Sequence, residues 1–206
     1  MTGKFITLEG IEGVGKSTHL ESVASWLRER GHSFVLTREP GGTPIAERIR
    51  SIILDESPDE LPALAELLLM FAARAAHLET LIRPALSRGE WVVCDRFIDA
   101  TYAYQGAGRG LSTKFIEDLA EMIQQGLRPD LTILLDVPLV VSSQRRIVRD
   151  QRDRFESEHD AFFARVQKGY REIAAREPER VRTVASDRPI AEVKSAIAEI
   201  MTIHFE

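Results

Sequence analysis

Gly10-Ile11-Glu12-Gly13-Val14-Gly15-Lys16-Ser17 follows an apolar run, Phe5 to Leu8, and opens a stretch with helical patterning. Strand, glycine-rich loop and helix in that order are what a phosphate-binding P-loop requires. Gly10, Gly13 and Gly15 let backbone N–H groups converge on phosphate oxygens without interference from a Cβ. Lys16 reaches toward the β and γ oxygens, and the Ser17 hydroxyl is available to Mg²⁺. The helix that begins there turns the positive end of its dipole toward the same anions. The loop therefore points to a user of nucleoside triphosphates.

Outward from the loop, short β-rich runs alternate with longer helical patterns. Phe5–Leu8, Phe34–Thr37, Trp91–Asp95, Leu131–Asp136 and Val181–Val184 read as strands. Helical patterns fall near 17–30, 44–54, 61–87, 112–125, 138–150, 158–176 and 189–203. Strands separated by helices cannot be joined as hairpins, so the sequence predicts an α/β fold, a doubly wound sheet of five parallel strands flanked by helices. The glycine and proline clusters at 38–44 and 105–110 read as loops beyond strand ends, where ligands bind in open α/β sheets. With 206 residues and no repeat or linker, one domain spanning 1–206 is expected.

Composition narrows the class. The single cysteine, Cys94, precludes an internal disulfide and suits a reducing compartment. No charged-then-apolar leader precedes Phe5, so a cytoplasmic location is expected. The most apolar window, Leu61 to Leu78, is interrupted by Glu66, Arg74 and His77 and reads as a buried helix, not a membrane span. A net charge of −5 disfavours nucleic acid as a partner.

The other loops decide among P-loop chemistries. The chain has no asparagine, and its only Thr-Lys pair, Thr113-Lys114, continues Phe115-Ile116, so the segment with which switch GTPases read guanine is missing. Glu12 is a carboxylate inside a loop meant for anions. Repulsion at about 5 Å with an effective dielectric near 20 amounts to roughly 3 kcal/mol, so Glu12 is expected to face a hydroxyl donor or a cation. Asp95-Arg96-Phe97 stands at a strand end, where Asp95 is placed to hold Mg²⁺ and Arg96 to clamp a phosphate. Asp136 ends another strand but leads into Val137-Pro138, as a residue at a helix start does. Arg38, in Thr37-Arg38-Glu39-Pro40-Gly41-Gly42-Thr43, is a second strand-end arginine, and with Arg96 it suggests a second phosphate site and a phosphorylated acceptor. Met70-Phe71-Ala72-Ala73-Arg74 could set an apolar surface beside an arginine for a base, or could be core with a surface arginine. Arg145, Arg146, Arg149, Arg152 and Arg154 crowd into ten residues. Such a run is either a solvated helix face or a mobile lid bringing a guanidinium to a transferring phosphoryl group.

Leu8 to Ser17, Thr37 to Thr43, Asp95-Arg96-Phe97, Ala103-Tyr104-Gln105-Gly106 and Asp153-Arg154-Phe155-Glu156, taken in order, resemble the thymidylate kinase family over essentially the whole chain. The resemblance implies ATP-dependent phosphorylation of dTMP to dTDP with Mg²⁺, in a homodimer with a helical interface. It implies the bacterial subtype whose P-loop lacks a basic residue and whose lid, about 145–157, carries the catalytic arginine. On this resemblance Gly10, Ile11, Glu12, Gly13, Val14, Gly15, Lys16, Ser17 and Thr18 form the ATP site, and Ser17 and Asp95 hold the metal. Lys16, Asp95, Arg96 and Arg149 are catalytic, with Arg146 and Arg152 as alternatives to Arg149. Glu12 approaches the sugar 3′-hydroxyl, and Arg38 and Arg96 hold the dTMP phosphate. Arg74 bonds the thymine edge, Thr101 and Gln105 read its other polar groups, and Tyr104 crowds the 2′ position. Phe71 stacks on the base, with Met70 as the alternative.

Overall fold

A computed structural model describes residues 3–55, 61–147, 154, 155 and 158–206. β1 (Phe5–Glu9), β2 (Phe34–Arg38), β3 (Trp91–Asp95), β4 (Leu131–Asp136) and β5 (Val181–Ala185) form one sheet in the order β2-β3-β1-β4-β5. All neighbouring strands are parallel. Each strand lies where the sequence predicts it, with ends differing by at most one residue.

β1, the central strand, is buried along its whole length, and β3 and β4 are buried up to their last residues. Such continuous apolar runs mark strands covered on both faces. Side chains alternate across a strand. Trp91 and Val93 accordingly enter one core with Trp26 and Leu27 of α1 (Lys16–Glu29) and Ile197 and Met201 of α9 (Ile190–Phe205). Val92 and Cys94 enter a second core with Phe71 of α3 (Ala63–His77) and Ile116 of α6 (Thr113–Gln124). Two threonines break the apolar interior, but their hydroxyls satisfy each other, Thr7 to Thr132 at 2.7 Å.

α2 (Pro44–Leu54) starts as its sequence dictates: Thr43 accepts from the Ala46 N–H at 3.4 Å, and Pro44 occupies the first turn, where its missing N–H costs nothing. The long helical pattern at 61–87 becomes α3, a π-helical stretch Leu78–Ile82, and α4 (Arg83–Ser87). Pro84 explains the interruption, since a widened turn frees it from an interior hydrogen bond it cannot make.

The segment 105–110 corrects the sequence reading. Instead of a loop, α5 (Ile98–Thr101) runs on through a π-helical stretch, Tyr102–Gly108. Its glycines serve packing. A Cβ on Gly108 would stand 2.7 Å from the Phe162 ring of α8 (Asp160–Arg176), so only glycine lets the two helices approach this closely. α7 (Leu139–Ile147) carries the first two arginines of the run, Arg145 and Arg146, in its last turn.

Candidate active site

The loop leaves β1 at Gly10, whose φ of 134° and closeness to β4 exclude a side chain: a Cβ there would stand 2.4 Å from the Leu135 carbonyl oxygen. Lys16 folds back over the loop and donates to the carbonyls of Gly10 and Ile11, both at 3.1 Å. Burial, then the neighbouring Arg96, lowers its pKa to about 8, against the pull of Asp95, Glu12 and Glu9. Ser17 and Thr18 are exposed at the start of α1. Gly13, Val14, Gly15, Thr18, His19 and Arg145 line one side of the loop, in a cleft holding about 660 Å³ of empty space.

The other side is a cavity lined by Glu12, Arg74, Arg96, Tyr104 and Gln105 among others. Consecutive loop residues thus face different spaces: Glu12 lines the cavity, and Gly13 to Gly15 line the cleft. Glu12 faces a cation and a hydroxyl, as its place in an anion loop requires. It accepts from Arg96 Nη2 at 2.9 Å and from the Tyr104 hydroxyl at 2.5 Å. Burial opposes its charge, but Arg96, then Lys16, then the Tyr104 hydroxyl outweigh burial and hold its pKa below the usual carboxylate value.

Arg96 adopts φ 71°, a left-handed conformation unusual for a residue with a side chain. That turn brings its guanidinium back over the loop, where Nη1 donates to the Gly10 carbonyl at 2.8 Å and to Tyr170 Oη at 3.2 Å. Beneath it lies Glu9, fully buried, accepting from the Phe97 N–H and the Tyr170 hydroxyl, both at 2.7 Å. Burial, with Asp99 second, raises the Glu9 pKa to about 8. Asp95 presents a buried Oδ1 that lacks a hydrogen-bond partner among the described residues.

The far wall of the cavity is built on α3 and α5. Arg74, 3% exposed, donates from Nε to Glu39 at 2.8 Å and from Nη2 to the Thr101 hydroxyl at 3.0 Å. Its Nη1 is buried without a partner among the described residues. Glu39 is also met by His77 Nδ1 at 3.1 Å, and His77 Nε2 lies 2.7 Å from the Thr37 hydroxyl. A carboxylate only accepts, so His77 Nδ1 is the donor to Glu39. Thr101, Tyr104, Gln105, Met70 and Phe155 complete the lining.

Several expected residues are placed differently. Phe71 lies in the core beside Leu67 and Leu78 and does not line the cavity, whereas Met70 does. Met70 and Phe71 lie four and three residues before Arg74 and flank it about 100° apart, so the one falls on the cavity side of the helix and the other on the core side. The Arg38 side chain is over half exposed, pairs with Glu47 at 2.9 Å and is absent from the cavity wall. Arg50, which sequence reasoning passed over, lines the cavity from α2 and donates to the Pro40 carbonyl at 2.7 Å. Asp136 is engaged by Gln167 at 2.7 Å and by Arg171 and lies in neither space.

The arginine run separates into different jobs. Arg145 Nη1 donates to the Gly13 carbonyl at 3.2 Å, at the rim of the cleft. Arg146 is buried, donates to Asp160 at 2.7 Å and sits 3.7 Å over the Phe163 ring, a structural role. Arg154 bonds buried Glu66 and donates to the Ile53 carbonyl at 3.0 Å. Arg149 and Arg152 fall outside the described residues.

Parallel strands in this order, a P-loop at the end of the central one and two ligand-sized spaces meeting across that loop define a P-loop phosphotransferase fold. Residues 8–197 match the family described as Thymidylate kinase. A thymidylate kinase of Chromohalobacter salexigens is 57% identical over 203 residues, covering 97% of this chain and 95% of the relative. One from Methylococcus capsulatus is 57% identical over 196 residues, covering 95% and 93%. The crystal structure of thymidylate kinase from Ehrlichia chaffeensis superposes with a TM-score of 0.78 at 32% identity, covering 98% of this chain and 99% of that one. The chain belongs to the thymidylate kinase family.

Proposed function

We infer that the cleft beside Gly13–Gly15 receives ATP, that the cavity beside Glu12 receives dTMP, and that the γ-phosphoryl group passes directly between them. The activity is that of the family: the chain is an enzyme that phosphorylates dTMP to dTDP with ATP. The observation that carries the geometric reading is the division of one loop between two spaces, with Glu12 on one side and the next three residues on the other. Two substrates bound there meet across a single turn of backbone, so proximity supplies much of the rate.

The acceptor oxygen of a nucleotide phosphate is already anionic, so no general base is needed. Lys16 exchanges its two loop carbonyls for oxygens of the triphosphate, and Arg96 turns its guanidinium to the dTMP phosphate, with Arg50 nearby on the wall. Arg38 would have to leave Glu47 to join them. Arg74 Nη1 supplies a donor to a thymine carbonyl, Gln105 and Thr101 lie beside it, and Met70 covers the base face. Tyr104, held by Glu12, fills the space a 2′-hydroxyl would need. Arg149, from the lid, neutralises the group in flight.

Mg²⁺ fits the residues present. Asp95 Oδ1 is a buried carboxylate oxygen without a partner among the described residues, Ser17 is exposed at the start of α1, and the described residues hold no cluster of three ligands. A site of one carboxylate completed by nucleotide phosphates is the Mg²⁺ pattern. The ion, when bound, neutralises phosphate charge.

A homodimer is supported by an apolar face on three helices: Ile45 and Ile52 on α2, Leu64 and Leu68 on α3, and Phe115 and Met122 on α6 are all exposed. No helix among the described residues is long and apolar enough to cross a membrane, and a buried free Cys94 suits the cytoplasm.

Initial rates with dTMP, dUMP, dCMP and thymidine test the reading. dTMP is expected to be preferred, with dTDP and ADP formed one for one. Release of free phosphate without a nucleotide acceptor would sink it.

A further inference from the structure

Gln105 lines the dTMP cavity, and its amide nitrogen donates to Glu66 Oε1 at 2.8 Å. Glu66 sits on α3 with 0% exposure, and it receives more than this one donor. Arg109 Nη2 reaches Glu66 Oε2 at 3.2 Å, and Arg154 bonds the same oxygen. Two guanidinium groups thus donate to Glu66, and a carboxylate paired in this way only accepts.

That fixes a polarity. A side-chain amide facing an acceptor-only group must turn its nitrogen toward it and its oxygen away. Gln105 Oε1 makes no hydrogen bond among the described residues, so the acceptor end of the amide is what remains for the cavity. Arg74, whose Nη1 is buried without a partner among the described residues, lines the same wall as a donor. The wall thus offers one fixed donor and one fixed acceptor. The complementary base edge carries a carbonyl next to a ring N–H, as 4-oxopyrimidines do. A 4-aminopyrimidine presents an amino group and an unprotonated ring nitrogen, the reverse pair, and leaves both wall groups unmatched.

We propose that Glu66 is the positioning residue for base specificity: by holding the Gln105 amide in one orientation, it makes the cavity select 4-oxo over 4-aminopyrimidine monophosphates. Glu66 touches no substrate. It acts through Gln105, and through Arg154 it ties that reader to the segment whose next residue, Phe155, lines the same cavity. The proposal rests on the acceptor reading given above.

The test compares kcat/KM for dTMP and dCMP in the full-length enzyme, wild type against Glu66→Gln, with Arg154→Ala as control. The glutamine can donate as well as accept, so it permits both orientations of Gln105. The dTMP-over-dCMP ratio is expected to fall by about tenfold or more, the worth of one matched pair. Arg154→Ala keeps the carboxylate on Gln105, so it is expected to lower both substrates alike and preserve the ratio. A ratio held within about twofold in Glu66→Gln, or moved as far by Arg154→Ala, overturns the proposal. Should Glu66→Gln not fold, Gln105→Met removes the reader directly and must lower the ratio by the same order. An unchanged ratio there overturns it equally. A wild type with no preference for dTMP refutes the acceptor reading itself, which is a separate result.

Discussion

Removal of the Arg74 guanidinium by Arg74→Met tests stability and recognition together. Arg74 and Glu39 are 3% and 5% exposed and meet at 2.8 Å, so the pair lies out of water. The methionine stem can still lie against Phe71 and Phe97, whose rings are 5.1 and 4.9 Å from the guanidinium carbon. Glu39 is then left buried with His77 alone. Losing one partner of a buried ion pair costs about 3–5 kcal/mol. For a chain of this size, at about 2–4 °C per kcal/mol, Tm should fall by about 6–20 °C. Scanning calorimetry measures the fall. Adding Glu39→Gln removes the stranded charge and should recover most of it. Catalysis should not recover, because the donor from Nη1 to the base stays absent. A hydrogen bond from a charged group contributes about 1.5–3 kcal/mol, so kcat/KM for dTMP should stay about ten- to hundredfold low in both variants. A Tm drop below about 3 °C, or a double variant less stable than Arg74→Met, would refute the account of the Glu39 pocket.

Glu9→Gln should change how stability responds to pH. The folded pKa of about 8 exceeds the ordinary 4.5, so the native state keeps a proton that the unfolded chain loses. Stability from this group is therefore full below about pH 4.5, declines as pH rises to about 8, and is flat beyond. Urea unfolding at pH 6 and 8.5 should show the glutamine variant gaining on the wild type at the higher pH, and a pH-independent difference would contradict the assignment. Arg149→Ala should lower kcat by about 10³-fold with dTMP binding largely kept, as for arginine fingers, and near-normal turnover would shift the role to another arginine. Met70→Ala should raise KM for dTMP with little loss of Tm, because Met70 faces the cavity, whereas Phe71→Ala should cost about 3–5 kcal/mol of stability as a core deletion. The reverse pattern would return stacking to Phe71.

The chain spells out what lies close together in sequence. The P-loop, the Asp95-Arg96 strand end and the five apolar runs are local patterns, and each appears where it was read. Glu12 could be assigned a hydroxyl donor or a cation from charge repulsion alone, though not the particular partners, Arg96 and Tyr104, which are 84 and 92 residues away. Phase was harder: one residue decides whether Met70 or Phe71 faces the cavity, and both are apolar. Gly106 and Gly108 look like turn residues until α6 is laid against the first and α8 against the second, contacts no local pattern encodes. Arg38 and Arg50 illustrate the same limit, since adjacency to a strand end favoured the first, while the fold carries the second to the wall. His19, which lines the cleft beside the P-loop, carried no local signal because it sits within an ordinary helical pattern, and Arg145, which lines it too, was legible only as one of an arginine run.

The Gly10 carbonyl accepts from two cations at once, Lys16 Nζ at 3.1 Å and Arg96 Nη1 at 2.8 Å. On the proposed reading one serves the donor nucleotide and the other the acceptor, and each repels the other across a single oxygen. A triphosphate that draws Lys16 away relieves Arg96, and a monophosphate that draws Arg96 away relieves Lys16. The substrates are then thermodynamically linked without any movement of the sheet. Linkage makes the effect symmetric: the factor by which dTMP changes the Kd of ATP equals the factor by which ATP changes the Kd of dTMP. A single backbone oxygen would thereby make the filling of either space favour the filling of the other.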